Sequence, residues 1–254
     1  IAANARLMVL KAVDASGHGN GSHIAAAIRY AVDKGARIIH LSLGGQAPGA
    51  LERDAIAYAL EREVLIVTAA GNQASGDDQL GYEGLGLMSE GQNGDDAYQA
   101  LDGVLVVGAI DPDGNRAAFS NWGPHRDLVA PGVDILSLRA QGSDFLAING
   151  VADYRPGSAV VDQHYYRATG SSFAAPFVTA IATLLLGREP WLEPRQLQRV
   201  LLQSARDLGT EGFDRNHGYG LVDAAATLDS PLDRFLESRL LAAILEEDRT
   251  LSIT

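Results

Sequence analysis

Short apolar runs of strand length alternate with stretches of helical periodicity through the first half of the chain, and this alternation constrains the fold most. Leu7 to Val13 reads as a strand, after which Ile24, Ile28, Ala31 and Val32 recur at helical spacing. Arg37 to Leu43 reads as the next strand and Ala50 to Arg62 as a helix. Glu63 to Ala70 and Val104 to Ile110 read as strands covered on both faces. Strands separated by helices of this length imply a parallel sheet with right-handed crossovers. The expected class is therefore α/β, three layers with a mainly parallel sheet between helices. The glycine-rich endings Gly44-Gly45 and Gly71-Asn72 then fall at the carboxyl ends of strands, where open α/β sheets bind their ligands.

A chain of 254 residues with 46% hydrophobic side chains can bury one large core. Its formal charge of −12 repels phosphate backbones, which argues against a nucleic-acid partner. No uninterrupted apolar run reaches the roughly 20 residues that span a bilayer. Cysteine is absent, which removes disulfides, thiolate nucleophiles and thiolate metal sites. The chain opens at Ile1 with no methionine or leader, and Arg6 to Val13 already resembles a core strand. It reads as the later part of a longer protein, with one partial domain over residues 1–228 and an extension over 229–254. In the extension Leu232, Leu236, Leu240 and Ile244 repeat between charges, as on an amphipathic helix docked on the domain. Two connections, Gln73 to Ala97 and Gln141 to Tyr165, are long for a compact domain; the second has the look of an exposed hairpin.

The chemistry concentrates at Gly170-Ser171-Ser172-Phe173-Ala174-Ala175-Pro176, followed by the apolar run Phe177 to Leu186. A serine where a loop turns into a buried helix suits a nucleophile, because the helix N-terminus favours developing negative charge. Pro176 is expected in the first turn, where a missing N–H costs nothing. Taken alone, the stretch is equally well an ordinary cap before a core helix. Gly71-Asn72 alone is equally a turn with asparagine in a left-handed conformation.

In combination these segments resemble the subtilisin-like serine proteases, the subtilases. Gly170 to Pro176 is similar to the family's Gly-Thr-Ser-Met-Ala-x-Pro, with serine for threonine and phenylalanine for methionine. Ala69-Ala70-Gly71-Asn72 resembles its Ala-Ala-Gly-Asn, and Leu41-Ser42-Leu43-Gly44-Gly45 its Ser-Leu-Gly wall. Phe119-Ser120-Asn121-Trp122-Gly123, Val129-Ala130-Pro131-Gly132 and Gly218 to Ala224 match further family stretches in the same order, over about Asn4 to Ala225. The resemblance implies catalysis by Ser172, with its own N–H and the Asn72 amide stabilising the oxyanion. It implies an extended substrate between Gly17-His18-Gly19 and Ser42-Leu43-Gly44, with Ala70 and Gly71 beside it. Asparagine at position 72 favours this branch over the sedolisins, which place aspartate there and use a glutamate base.

The family's Asp-Thr/Ser-Gly and His-Gly-Thr-His motifs have no counterpart here, so the base and its acid partner are expected upstream of Ile1. The nearest imitation, Asp14 to Ala26, leads through one helix straight into Ser42-Leu43-Gly44, as the substrate-binding loop does in the family. Its Asp14 and His18 therefore read as loop residues, with His18 shaping a pocket upstream of the cleaved bond. Gly17-x-Gly19-x-Gly21 imitates a dinucleotide fingerprint, but the third glycine is one position early and no acid ends the next strand. His40, His125, His164 and His217 read as structural or solvent-facing. The acidic pairs Asp77-Asp78 and Asp95-Asp96 lack an EF-hand spacing, so no metal ligand is assigned and calcium enters only as a structural ion. The expectation is a monomeric serine endopeptidase needing no cofactor, acting on polypeptides, extracellular or periplasmic by family analogy. The competing reading is a non-catalytic relative that binds peptides or partners in the same groove.

Overall fold

The computed structural model describes residues 1–14, 18–43, 49–76, 104–139, 160–161 and 164–232. Four strands form a parallel sheet in the order β1 (Ile38–Leu41), β2 (Leu65–Ala69), β3 (Val104–Ile110), β4 (Leu128–Pro131). Register sets Ile38 opposite Leu65, Ile66 opposite Val104 and Val107 opposite Leu128. Every residue of β2 and β3 is buried, as continuous apolar runs covered on both faces require.

Alternation along the strands divides the core in two. Ile39, Leu41, Ile66 and Val104 face α1 (Gly21–Asp33) and α2 (Ala50–Glu61). Leu65, Val67, Leu105, Val107, Leu128 and Ala130 face α3 (Ser171–Arg188) and α4 (Pro194–Gln203). The α1 periodicity holds: Ile24, Ala25, Ile28, Ala31 and Val32 are buried, and Asn20 caps the helix by accepting from the Ser22 and His23 amides. A short α5 (Ala224–Leu228) follows, and Leu232, where the described chain ends, is buried against the α3 side of the core.

Among the described helices α3 alone is long and apolar enough to cross a membrane. It is instead a core helix, with Ala174, Ala175, Val178, Ile181, Ala182 and Leu185 buried beneath the sheet.

Leu7 to Val13 does not form the expected strand. Only Val13 makes a bridge, to Gly19, and no strand among the described residues runs beside the segment. A strand exists by its ladder, and without one the backbone stays extended but unpaired. Leu10 and Ala12 still pack on the α1–α2 core, whereas Leu7 and Val9 are 86% and 88% exposed. A second, antiparallel sheet in the order β5-β7-β6 joins β5 (Ile135–Leu138), β6 (Val160–Val161) and β7 (Tyr165–Ala168). β7 pairs antiparallel with β5 on one edge and β6 on the other; the hairpin expected over Gln141 to Tyr165 lies almost wholly outside the described residues. The loop over 77–97, with its two acidic pairs, and the tail from 233 lie outside the described residues.

Candidate active site

Two chain turns meet at the carboxyl end of the parallel sheet. One follows β2 through Ala70, Gly71 and Asn72; the other is Gly170 at the N-cap of α3. Gly170 adopts φ +154°, and a Cβ there would lie 3.3 Å from Asn72 Nδ2. Glycine is needed both for that conformation and for the close approach of the asparagine.

Ser171 locks the two turns together. Fully buried, it donates to Asn72 Oδ1 from its main-chain N–H at 2.8 Å and from its hydroxyl at 2.9 Å. The same hydroxyl accepts from the Gly71 amide at 3.0 Å. An N–H can only donate, so the atom facing it must be the Asn72 carbonyl oxygen, which fixes the amide orientation. Nδ2 is then the outward end, and among the described residues nothing accepts from it. Ser172 follows directly as the second residue of α3, partly exposed. Ser171 thereby joins the turn that carries Asn72 to the first turn of the helix that carries Ser172.

A second asparagine braces this arrangement. Asn121 is buried, donates its main-chain N–H to Gly71 O at 3.1 Å, and accepts at Oδ1 from the Gln73 and Ser75 amides at 3.0 and 3.1 Å. Its Nδ2 donates to Gln73 Oε1 at 2.8 Å, and that oxygen also accepts from the Asn72 main-chain N–H at 2.9 Å. The loop bearing Asn72 is thereby tied down on both sides of the residue.

On the other flank Ser42, just past β1, donates to the Ser172 carbonyl at 3.1 Å. Leu43 packs on the α1–α2 core, so its main chain rather than its side chain is left to form a wall. Gly44 and Gly17 lie outside the described residues. Gly19 is bridged to Val13, and the His18 carbonyl accepts from the Asp14 amide at 2.8 Å. Asp14 Oδ1 accepts the His18 main-chain N–H at 3.0 Å, so this carboxylate caps a turn. No described contact joins the exposed His18 ring to Ser172. Of the other histidines, His217 pairs with Asp214 at 3.1 Å, and His40, on β1, lies between Ser42 and Thr179 in the middle of α3.

Pro176 is not in the first turn. It is the sixth residue of α3 and lies inside the helix. Reading from sequence also passed over the supports Ser171, Asn121, Gln73 and His40. All four lie within or directly beside recognised motifs, which is the one signal that pointed toward them. Among the described residues no group of three or more His, Asp or Glu side chains is placed to hold a metal ion.

The fold and site together describe an α/β protein with a serine at the start of a core helix and, held to the preceding residue, an asparagine amide of fixed orientation. The pattern of the Subtilase family, peptidase S8, matches residues 1–220. A probable subtilase-type serine protease of Deinococcus radiodurans is 31% identical over 222 residues, covering 85% of this chain and 27% of that protein. Fervidolysin of Fervidobacterium pennivorans is 32% identical over 223 residues, covering 87% of this chain and 29% of its own length. The chain thus spans under a third of either relative. Among solved structures, a lanthipeptide protease superposes with a TM-score of 0.67 at 25% identity, over 86% of this chain and 68% of that one. Fervidolysin superposes with a TM-score of 0.62 at 30% identity, over 84% of this chain and 29% of that one. The chain belongs to the subtilase family.

Proposed function

We propose that this chain carries the nucleophile half of a serine endopeptidase site. Ser172 Oγ attacks the carbonyl carbon of a peptide bond held as an extended strand between residues 17–19 and 42–44. The hydroxyl proton passes to a base, and the carbonyl oxygen becomes an oxyanion that accepts from Asn72 Nδ2 and the Ser172 N–H. Collapse breaks the C–N bond, the amine leaves with the proton, and water then hydrolyses the acyl-serine by the same steps. The observation that carries this reading is the double donation of Ser171 to Asn72 Oδ1, which presets Nδ2 before any substrate arrives. A groove that only bound peptides would have no use for such a donor.

The base and its carboxylate partner are proposed to come from residues preceding Ile1. In support, the Asp14 carboxylate holds a main-chain N–H, while the His40 and His217 rings are engaged elsewhere. The substrate is a polypeptide, the enzyme is a monomer acting outside the cytoplasm, and calcium enters only as a structural ion. A fluorophosphonate probe tests the reading. Protein bearing the preceding residues should label rapidly at Ser172, the 254-residue chain far more slowly, and Ser172→Ala not at all. Equal, rapid labelling of both forms would place a base within this chain; no labelling of either would favour the peptide-binding alternative.

A further inference from the structure

α3 carries a proline where a helix normally donates. The nitrogen of Pro176 stands in register to bond the Ser172 carbonyl four residues back, and proline has no N–H. The carbonyl of the nucleophile is therefore released from the helix ladder, and the Ser42 hydroxyl supplies the missing donor. A serine hydroxyl holds one proton. With that proton on the Ser172 carbonyl, Ser42 Oγ can only accept from His40 Nε2, 2.7 Å away. Nε2 must then be the protonated ring nitrogen. The other, Nδ1, lies 2.9 Å from the hydroxyl of Thr179, itself on α3. Thr179 can donate to this nitrogen or to the Ala175 carbonyl at 3.1 Å.

We propose that His40 is a positioning residue for the nucleophile: its Nε2–H turns the Ser42 hydroxyl onto the Ser172 carbonyl that Pro176 leaves open. The ring thereby clamps the substrate-wall end of β1 to the first turn of α3. It holds the main chain on which both the Ser172 hydroxyl and the Ser172 N–H ride. Burial lowers the pKa of His40, which favours the neutral ring this chain of donors needs.

The kinetic half of the proposal rests on the serine-peptidase reading, and it is tested in the full-length protein bearing the preceding residues. A glutamine amide reaches the place of Nε2, whereas an asparagine amide reaches only that of Nδ1. His40→Asn should keep the Thr179 contact, lose Ser42, and lower kcat on a peptide substrate about tenfold with KM little changed, the scale of one lost hydrogen bond. His40→Gln should restore most of that kcat. Equal kcat for His40→Asn and wild type, or equal losses for the Asn and Gln variants, would overturn the role. The ring tautomer, read by nitrogen NMR on the wild-type protein, gives a measure independent of turnover: Nε2–H is expected, and Nδ1–H would overturn the arrangement. Wild-type protein that neither cleaves peptides nor reacts with a fluorophosphonate would sink the peptidase reading, while the tautomer still decides whether His40 orients Ser42.

Discussion

Single hydrogen-bonding groups decide how well this site is made. Ser172 and Asn72 could be singled out as candidates in the sequence because each lies in a short run of small residues at a turn. The groups that aim them could not, because their partners are remote: Ser171 meets Asn72 across 99 positions and Ser42 meets the Ser172 carbonyl across 130. Asn121 shows what such a support contributes. Losing the oxyanion asparagine outright costs about a hundred- to a thousand-fold in subtilisin itself, a member of this family. Misplacing the donor should cost less, so Asn121→Ala is expected to lower kcat by about ten- to a hundred-fold with a small change in KM. The same variant should speed hydrogen exchange at the Gln73 and Ser75 amides, which Asn121 Oδ1 holds, while β2 stays protected. Unchanged exchange at those two amides would show that the loop does not depend on it.

The elements were legible where local pattern and burial agree. The apolar runs of β2 and β3 and the spacing in α1 predicted what formed, because each encodes which faces are covered. Leu7 to Val13 has the right composition and still makes no ladder, since a strand needs a neighbour as well as a pattern. How closely elements approach is a tertiary matter, and two glycines separate it from propensity. The Gly132 carbonyl accepts from the Gly170 amide at 2.8 Å, and a Cβ on Gly132 would lie 2.5 Å from Ala109 Cβ and 3.0 Å from Gly170 O. Gly187, late in α3, has nothing within 4 Å of its added Cβ. Gly132→Ala should therefore destabilise by about 1–3 kcal/mol and disturb the helix start that bears Ser172. Gly187→Ala should stabilise by about 0.5–1 kcal/mol, as alanine does for glycine inside a helix. Thermal unfolding of the pair checks the contrast, and Tm shifts of the same sign would refute it.

At the scale of the whole molecule, one buried acid links stability to pH. Asp127, beside β4, accepts from the Val106 amide at 2.7 Å. Burial raises its pKa from 3.8 to about 7, against the opposing pull of that amide and of Arg126. Between those values the folded chain holds a proton that the unfolded chain has released, so raising the pH favours unfolding. Stability should fall from about pH 4 to about pH 7 and then level off, and Asp127→Asn should remove that slope in denaturant titrations. A slope that survives the substitution would assign it to other groups. From sequence alone, the α/β class, the parallel sheet and the family followed, because periodicity and small-residue turns are local codes read within a few positions. Only the tertiary structure decided which serine holds Asn72, what meets the Ser172 carbonyl freed by Pro176, and that His40 stands behind Ser42. Those outcomes depend on which atoms meet across the fold, and on the strict count of protons and acceptors once they do.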